Sequence, residues 1–146
     1  MNLYLDTSAL VKNFIDEAGS ENLRRLIEDP ENQIWISELV ETEFSCALFR
    51  RLRNHELSIF QVAEALEGFR TSIKKFEILP LNSGILSRAN QLIRKYGDKF
   101  ALRSLDSMHA ASFDTVAEKE DWIFATADLF LGNFIESLGF RVINKF

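Results

Sequence analysis

Five short apolar runs, Asn2–Leu5, Gln33–Ile36, Phe76–Leu81, Trp122–Ala125 and Phe140–Ile143, alternate along the chain with segments whose apolar residues recur at helical spacing. Runs with no polar alternation read as strands buried on both faces, and strands separated by helices pair in parallel. The alternation therefore predicts an α/β fold, a three-layer α/β/α sandwich with a mostly parallel central sheet. One helix is expected to follow Asp6. Others are expected over Ser20–Asp29 (Leu23, Leu26, Ile27), Ser37–Arg53 (Val40, Phe44, Ala47, Leu48, Leu52) and Ser58–Lys75 (Val62, Leu66, Phe69, Ile73). Three more are expected over Ser83–Tyr96, Ser104–Ala117 and Leu129–Leu138, the first ending at Gly97 and the last stopped by Gly139. Pro30 and Pro80 fall at the boundaries this scheme requires.

The 146 residues show no internal repeat and no Pro/Gly-rich linker, so residues 1–146 read as one domain. A composition 47% hydrophobic and 27% charged, with 13 Phe, excludes a disordered chain and supplies a dense core. Cys46 is the only cysteine, which excludes a disulfide scaffold. Neither a membrane-spanning segment nor a signal peptide is readable, and a cytoplasmic location is the expectation. The net charge of −5 argues at first against a nucleic-acid ligand. It is unevenly spread, because Arg70 to Arg103 holds eight basic and two acidic residues, a local +6 against −11 elsewhere.

In parallel sheets ligands bind beyond the carboxyl ends of the strands. Asp6 follows the first strand in Leu5-Asp6-Thr7-Ser8, and Asp128 follows the fourth in Phe124-Ala125-Thr126-Ala127-Asp128. Either serves equally as a helix N-cap. Glu43 lies three residues after Val40 and four before Ala47, on the apolar stripe of its helix, unless it sits at the stripe's edge and reaches water. Asp106 opens a helix in Leu105-Asp106-Ser107-Met108-His109-Ala110-Ala111 and shares a mostly buried face. His109 reads first as a hydrogen-bonded core histidine. Carboxylates gathered at one sheet end repel one another, and a hard divalent cation, Mg²⁺ or Mn²⁺, relieves that repulsion while leaving positions for phosphate oxygens. With His55, His109 and Cys46 scattered, the sequence offers no zinc spacing.

These residues resemble the motifs of the PIN-domain nuclease family and, within it, of the VapC toxins of toxin-antitoxin pairs. Leu5-Asp6-Thr7-Ser8-Ala9-Leu10 is similar to the first acidic motif. Ile36-Ser37-Glu38-Leu39-Val40, leading to Glu43-Phe44 and Ala47-Leu48, is similar to the second, with Glu38 and Glu41 as competing acids. Leu105 to Ala111 resembles the third, and Thr126-Ala127-Asp128 with Gly139-Phe140-Arg141-Val142-Ile143 the fourth. The resemblance runs nearly end to end and implies a PIN-like sandwich that cleaves RNA endonucleolytically with Mg²⁺ or Mn²⁺. It implies Asp6, Glu43, Asp106 and Asp128 as catalytic and metal-holding residues, products with a 5′-phosphate and a 3′-hydroxyl, an antitoxin partner and a homodimer. Thr7, Ser8 and Thr126 are candidate supporting hydroxyls. Arg103, Lys99, Lys95 and Lys75, with Lys74 and Arg94, are candidate RNA contacts from the +6 segment, unless they form a solvated surface. Arg50, Arg51 and Arg53 suit either RNA or a partner.

Other readings stay open on sequence alone. A haloacid-dehalogenase-type phosphatase wants a second Asp where Ser8 stands, and a phosphoreceiver wants an Asp where the third strand runs into Pro80-Leu81-Asn82, so both fit poorly. A housekeeping RNA-processing nuclease and a binding protein with a vestigial site are the remaining alternatives.

Overall fold

The computed structural model describes residues 1–118 and 120–146. Strand β1 (Asn2–Leu5) is followed by α1 (Thr7–Phe14) and α2 (Ser20–Glu28), then β2 (Gln33–Ser37), α3 (Leu39–Arg53) and α4 (Ile59–Ser72). A single 3₁₀ turn, Ile73–Lys75, leads into β3 (Glu77–Leu79). After it come α5 (Ser83–Tyr96), α6 (Ser104–Asp114), β4 (Trp122–Ala125), α7 (Leu129–Ser137) and β5 (Arg141–Ile143). The strands form one sheet in the order β3-β2-β1-β4-β5, and every neighbouring pair is parallel. The mostly parallel sheet expected from the sequence is parallel throughout.

The strands are buried because they are sandwiched, and the two-residue period of a strand divides its side chains between two cores. Leu3 and Leu5 of β1 join Ile34, Ile36, Ile123 and Ala125 beneath α1 to α4, where Leu10, Val40, Phe44, Leu48, Val62 and Phe69 close the layer. Tyr4 points the other way, with Phe124 and Trp122, into a core completed by Ile85, Leu92, Phe113, Leu131 and Phe134. Much of the phenylalanine content is spent in these two layers. Phe44 stacks on Phe69 at 4.6 Å and meets the edge of Phe14 at 5.3 Å, while Phe113 lies edge-on to Phe124 at 5.1 Å.

Several boundaries differ from the sequence expectation for local reasons. The helix expected from Ser37 begins at Leu39, because Ser37 still belongs to β2, pairing with Leu79, and its hydroxyl accepts from the Leu39 amide at 3.2 Å. The helix expected through Lys75 tightens into the 3₁₀ turn at Ile73. The third strand shrinks from six residues to Glu77–Leu79, an exposed edge that ends where Pro80 has no amide to donate. The helix expected to reach Ala117 stops at Asp114, and the fifth strand starts at Arg141. Gly139 does adopt the left-handed conformation, φ 90°, that a helix stop favours.

The topology determines where chemistry can occur. From central β1 the chain steps outward to β2 and β3, then returns across the sheet to β4 and β5 on the other side. The crevice beyond the carboxyl ends of β1 and β4 is thus the switch point of the sheet, flanked by two connections that diverge. Core packing holds it rigid. Replacing Phe44, fully buried between α1, α4 and the sheet, by Ala is expected to destabilise the fold by about 3–5 kcal/mol. Urea unfolding checks this, as a lower midpoint with an unchanged m value.

Candidate active site

Asp6 leaves β1 in extended conformation and turns directly into α1, whose Ala9 amide donates to its Oδ1 at 2.8 Å. The residue is therefore the helix cap that its sequence suggested, but it is also 97% buried and surrounded by hydroxyls. Ser8 Oγ lies 2.8 and 2.9 Å from the two carboxylate oxygens, and Thr126 Oγ1 donates to Oδ2 at 2.6 Å. Both hydroxyls also accept, Ser8 across the crevice from the Ala127 amide at 2.8 Å and Thr126 within its own loop from the Asp128 amide at 2.9 Å. The loops after β1 and β4 are tied into one unit. Burial pushes the Asp6 carboxyl above its usual range, against the lowering pull of the hydrogen bonds from Thr126, Ala9 and Ser8.

Glu43 reaches the same crevice from α3. Its Oε2 accepts from Thr7 Oγ1 at 2.5 Å and lies 2.6 Å from His109 Nε2. Burial acts to raise this carboxyl, but the hydrogen bonds from His109 and then Thr7, with the charge of Arg103, outweigh it and hold Glu43 below its usual range. The competition among the three glutamates is resolved by exposure and by hydrogen bonding. Glu41 is exposed, and Glu38 turns to accept from the Leu81 amide at 2.9 Å, so Glu43 alone of the three lines the cleft.

Asp106 and Asp128 form the outer wall. Asp128 caps α7, accepting from the Phe130 and Leu131 amides at 2.8 and 3.2 Å through Oδ1. Asp106 reaches back to the Arg103 amide at 3.2 Å. Arg103 grips both acids, with Nε 2.7 Å from Asp106 Oδ2 and a terminal nitrogen 2.8 Å from Asp128 Oδ2. Asp106 first, then Asp128, makes its guanidinium harder to deprotonate.

All four carboxylates thus line one cleft of about 910 Å³, together with Thr7, Ser8 and His109. Thr126 lies beneath, buried against Asp6. The donors are hard oxygens, and one cation already spans two of them, which suits Mg²⁺ or Mn²⁺. Among the described residues no three carboxylate, imidazole or thiol groups form a ready-made cage. An open arrangement is what Mg²⁺ uses, since it takes one or two carboxylates and leaves its other positions to water and phosphate.

The basic residues are distributed differently from the sequence expectation. Of the +6 segment only Arg103 lines the cleft; Lys75, Lys95 and Lys99 do not, nor do Lys74 and Arg94. Lys74 and Lys75 precede the amino end of β3, the opposite edge of the sheet from the acids, and Lys95 lies over the Tyr96 ring at 4.9 Å. The cleft's other cations are Arg50, Arg51 and Arg53 near the end of α3, and Lys12 on α1. Lys12 and its partner Glu17 carried no sequence signal, because only the fold brings them to Arg51.

The chain belongs to the PIN domain family, whose sequence profile matches residues 3–129 and so spans all four acids. No curated protein matches the sequence. Among solved structures, the chain is similar to VapC20 of Mycobacterium tuberculosis, a sarcin-ricin-loop-cleaving toxin, with 16% identity and a TM-score of 0.70 over 97% of each chain. VapBC2 of Rickettsia felis, bound to a fragment of its promoter DNA, matches with 17% identity and a TM-score of 0.66 over 98% of each chain. FitAcB of Neisseria gonorrhoeae matches with 17% identity and a TM-score of 0.67, covering 97% of this chain and 96% of that one. At these identities the likeness is one of fold.

Glu17 provides a test of the cleft's electrostatics. Burial raises its carboxyl, but Arg51 and then Lys12, 3.1 Å away, outweigh burial and hold it below the ordinary value of 4.5. A carboxylate lowered on folding contributes stability above its unfolded value and loses it as pH falls through the folded one. Glu17→Gln is therefore expected to cost about 1 kcal/mol at pH 7. In unfolding titrations from pH 7 to 3, the gap from wild type should close below the glutamate range.

Proposed function

We propose that this chain is a Mg²⁺- or Mn²⁺-dependent endoribonuclease and the toxin of a VapBC-type toxin-antitoxin pair. The observation that carries the reading is the convergence of Asp6, Glu43, Asp106 and Asp128 in one cleft at the switch point of a PIN-family fold. Asp6 and Asp106 are the strongest direct metal ligands, with Glu43 and Asp128 contributing directly or through water. When bound, a divalent cation there lowers the pKa of a coordinated water and neutralises charge on the leaving oxygen.

The chain's own residues do the rest. Ser8, Thr126 and the Ala9 amide fix the Asp6 carboxylate, and Thr7 and His109 fix Glu43. Arg50 and Arg53 attract the RNA backbone, while Arg103 balances Asp106 and Asp128. The oxygen of water bonds to phosphorus as the bond from phosphorus to the 3′-oxygen breaks. The products are a 5′-phosphate and a 3′-hydroxyl, which takes up a proton.

Similarity of fold to VapC20, VapBC2 and FitAcB supports an RNA substrate and an antitoxin partner. The apolar side chains of Phe49, Ile59 and Phe60, which α3 and α4 leave exposed, support a protein partner. No helix among the described residues is long and apolar enough to cross a membrane.

Purified protein is expected to cut structured RNA with Mg²⁺ or Mn²⁺ and to lose that activity in EDTA. Asp6→Asn and Asp106→Asn should each reduce it by more than the ~10–100-fold that loss of a supporting partner costs. Equal cutting in EDTA, or by both variants, contradicts the metal-dependent mechanism at these acids. Growth arrest on expression, relieved by a small neighbouring gene, tests the toxin role; its absence favours RNA processing without a toxin function.

A further inference from the structure

His109 is 97% buried, yet both of its ring nitrogens are engaged. Nε2 lies 2.6 Å from Glu43 Oε2, and Nδ1 lies 3.0 Å from the hydroxyl of Tyr4, a fully buried residue of the central strand. The Tyr4 ring is immobilised, stacked on Phe124 at 5.1 Å and edge-on to Phe113 at 5.5 Å. A line of contacts thus runs from the core under β1, through His109 on α6, to a cleft carboxylate on α3. The core alone does not require it, because a phenylalanine at position 4 would pack the same layer without a buried hydroxyl to satisfy.

We propose that Tyr4 and His109 are positioning residues: Tyr4 donates to Nδ1, which fixes the imidazole proton on Nε2, and Nε2–H then holds Glu43 Oε2 toward the cleft. A tyrosine hydroxyl has one hydrogen to give, and Nδ1 lies within hydrogen-bond distance of it at 3.0 Å. Thr7 donates to the same Oε2, so its lone pairs are occupied from two sides, and among the described residues Oε1 accepts no hydrogen bond. The tautomer of a histidine that bears on a metal ligand is commonly fixed by the bond its other nitrogen makes. The effect on metal binding rests on the nuclease reading of the cleft; the tautomer does not.

Three variants and two readouts test this. Tyr4→Phe removes one oxygen and keeps the ring packing. His109→Gln keeps an amide donor, and His109→Leu removes it. Long-range ¹H–¹⁵N spectra of wild type are expected to show His109 protonated on Nε2 alone, with Tyr4→Phe shifting it toward a mixture of tautomers. Calorimetric titration with Mg²⁺ or Mn²⁺ is expected to show affinity lower by about 10–100-fold in Tyr4→Phe, and better retained in His109→Gln than in His109→Leu. A purely structural role would change the unfolding midpoint and leave both readouts alone. Wild-type His109 protonated on Nδ1 or on both nitrogens, or Tyr4→Phe with unchanged tautomer and affinity, overturns the proposal. If wild type binds neither cation, the nuclease reading fails, and the tautomer spectra still decide the relay.

Discussion

The buried carboxylate of Asp6 is the constraint on which the rest of the site depends. An ionised group at that depth is costly unless hydrogen-bonded, and this one is met by the Ala9 amide and two hydroxyls, one from each loop of the switch point. Those hydroxyls also accept the amides of Ala127 and Asp128, so satisfying Asp6 sets the path of the chain after β4. That path in turn places Asp128, and Arg103 links Asp128 to Asp106 on α6. Burial of one acid at the end of β1 therefore organises two others on separate elements.

Charge inside the cleft is met in two ways. Asp6 and Glu43 are held by neutral hydroxyls and an imidazole, whereas Asp106 and Asp128 face a guanidinium that is largely exposed. An exposed arginine side chain can exchange partners at small cost, because surface ion pairs contribute little. Arg103 is accordingly the contact in the cleft most easily rearranged, whereas the Asp6 carboxylate is held by Ser8, Ala9 and Thr126 together. The net charge of −5 conceals this arrangement, since the cleft is lined by five acids (Asp6, Glu17, Glu43, Asp106, Asp128) and five cations (Lys12, Arg50, Arg51, Arg53, Arg103).

Much of this was legible in the sequence because the signals were local. Apolar runs followed by Asp, as at Leu5-Asp6, report strand ends, and the phase of Val40, Phe44 and Ala47 selects a buried face for Glu43. The sequence left Glu38 and Glu41 in competition with it, because Glu38 is turned away by a contact with the distant Leu81 amide. What stayed hidden depends on contacts between distant segments. A count of charge along Arg70 to Arg103 cannot tell which edge of the sheet a lysine occupies, so Lys75 fell at the amino end of β3, away from the cleft. Tyr4 reads as a core strand residue, and nothing near it in sequence announces His109, 105 positions on.

The central claim is that the four carboxylates define a cation site. Anomalous diffraction from crystals soaked in Mn²⁺, recorded at the manganese edge, tests it directly. The account predicts one or two peaks within the cleft, touching Asp6 or Asp106, with Arg103 displaced from at least one of its acids. Peaks confined to other surfaces, with the bridge from Arg103 to Asp106 and Asp128 intact, would contradict it.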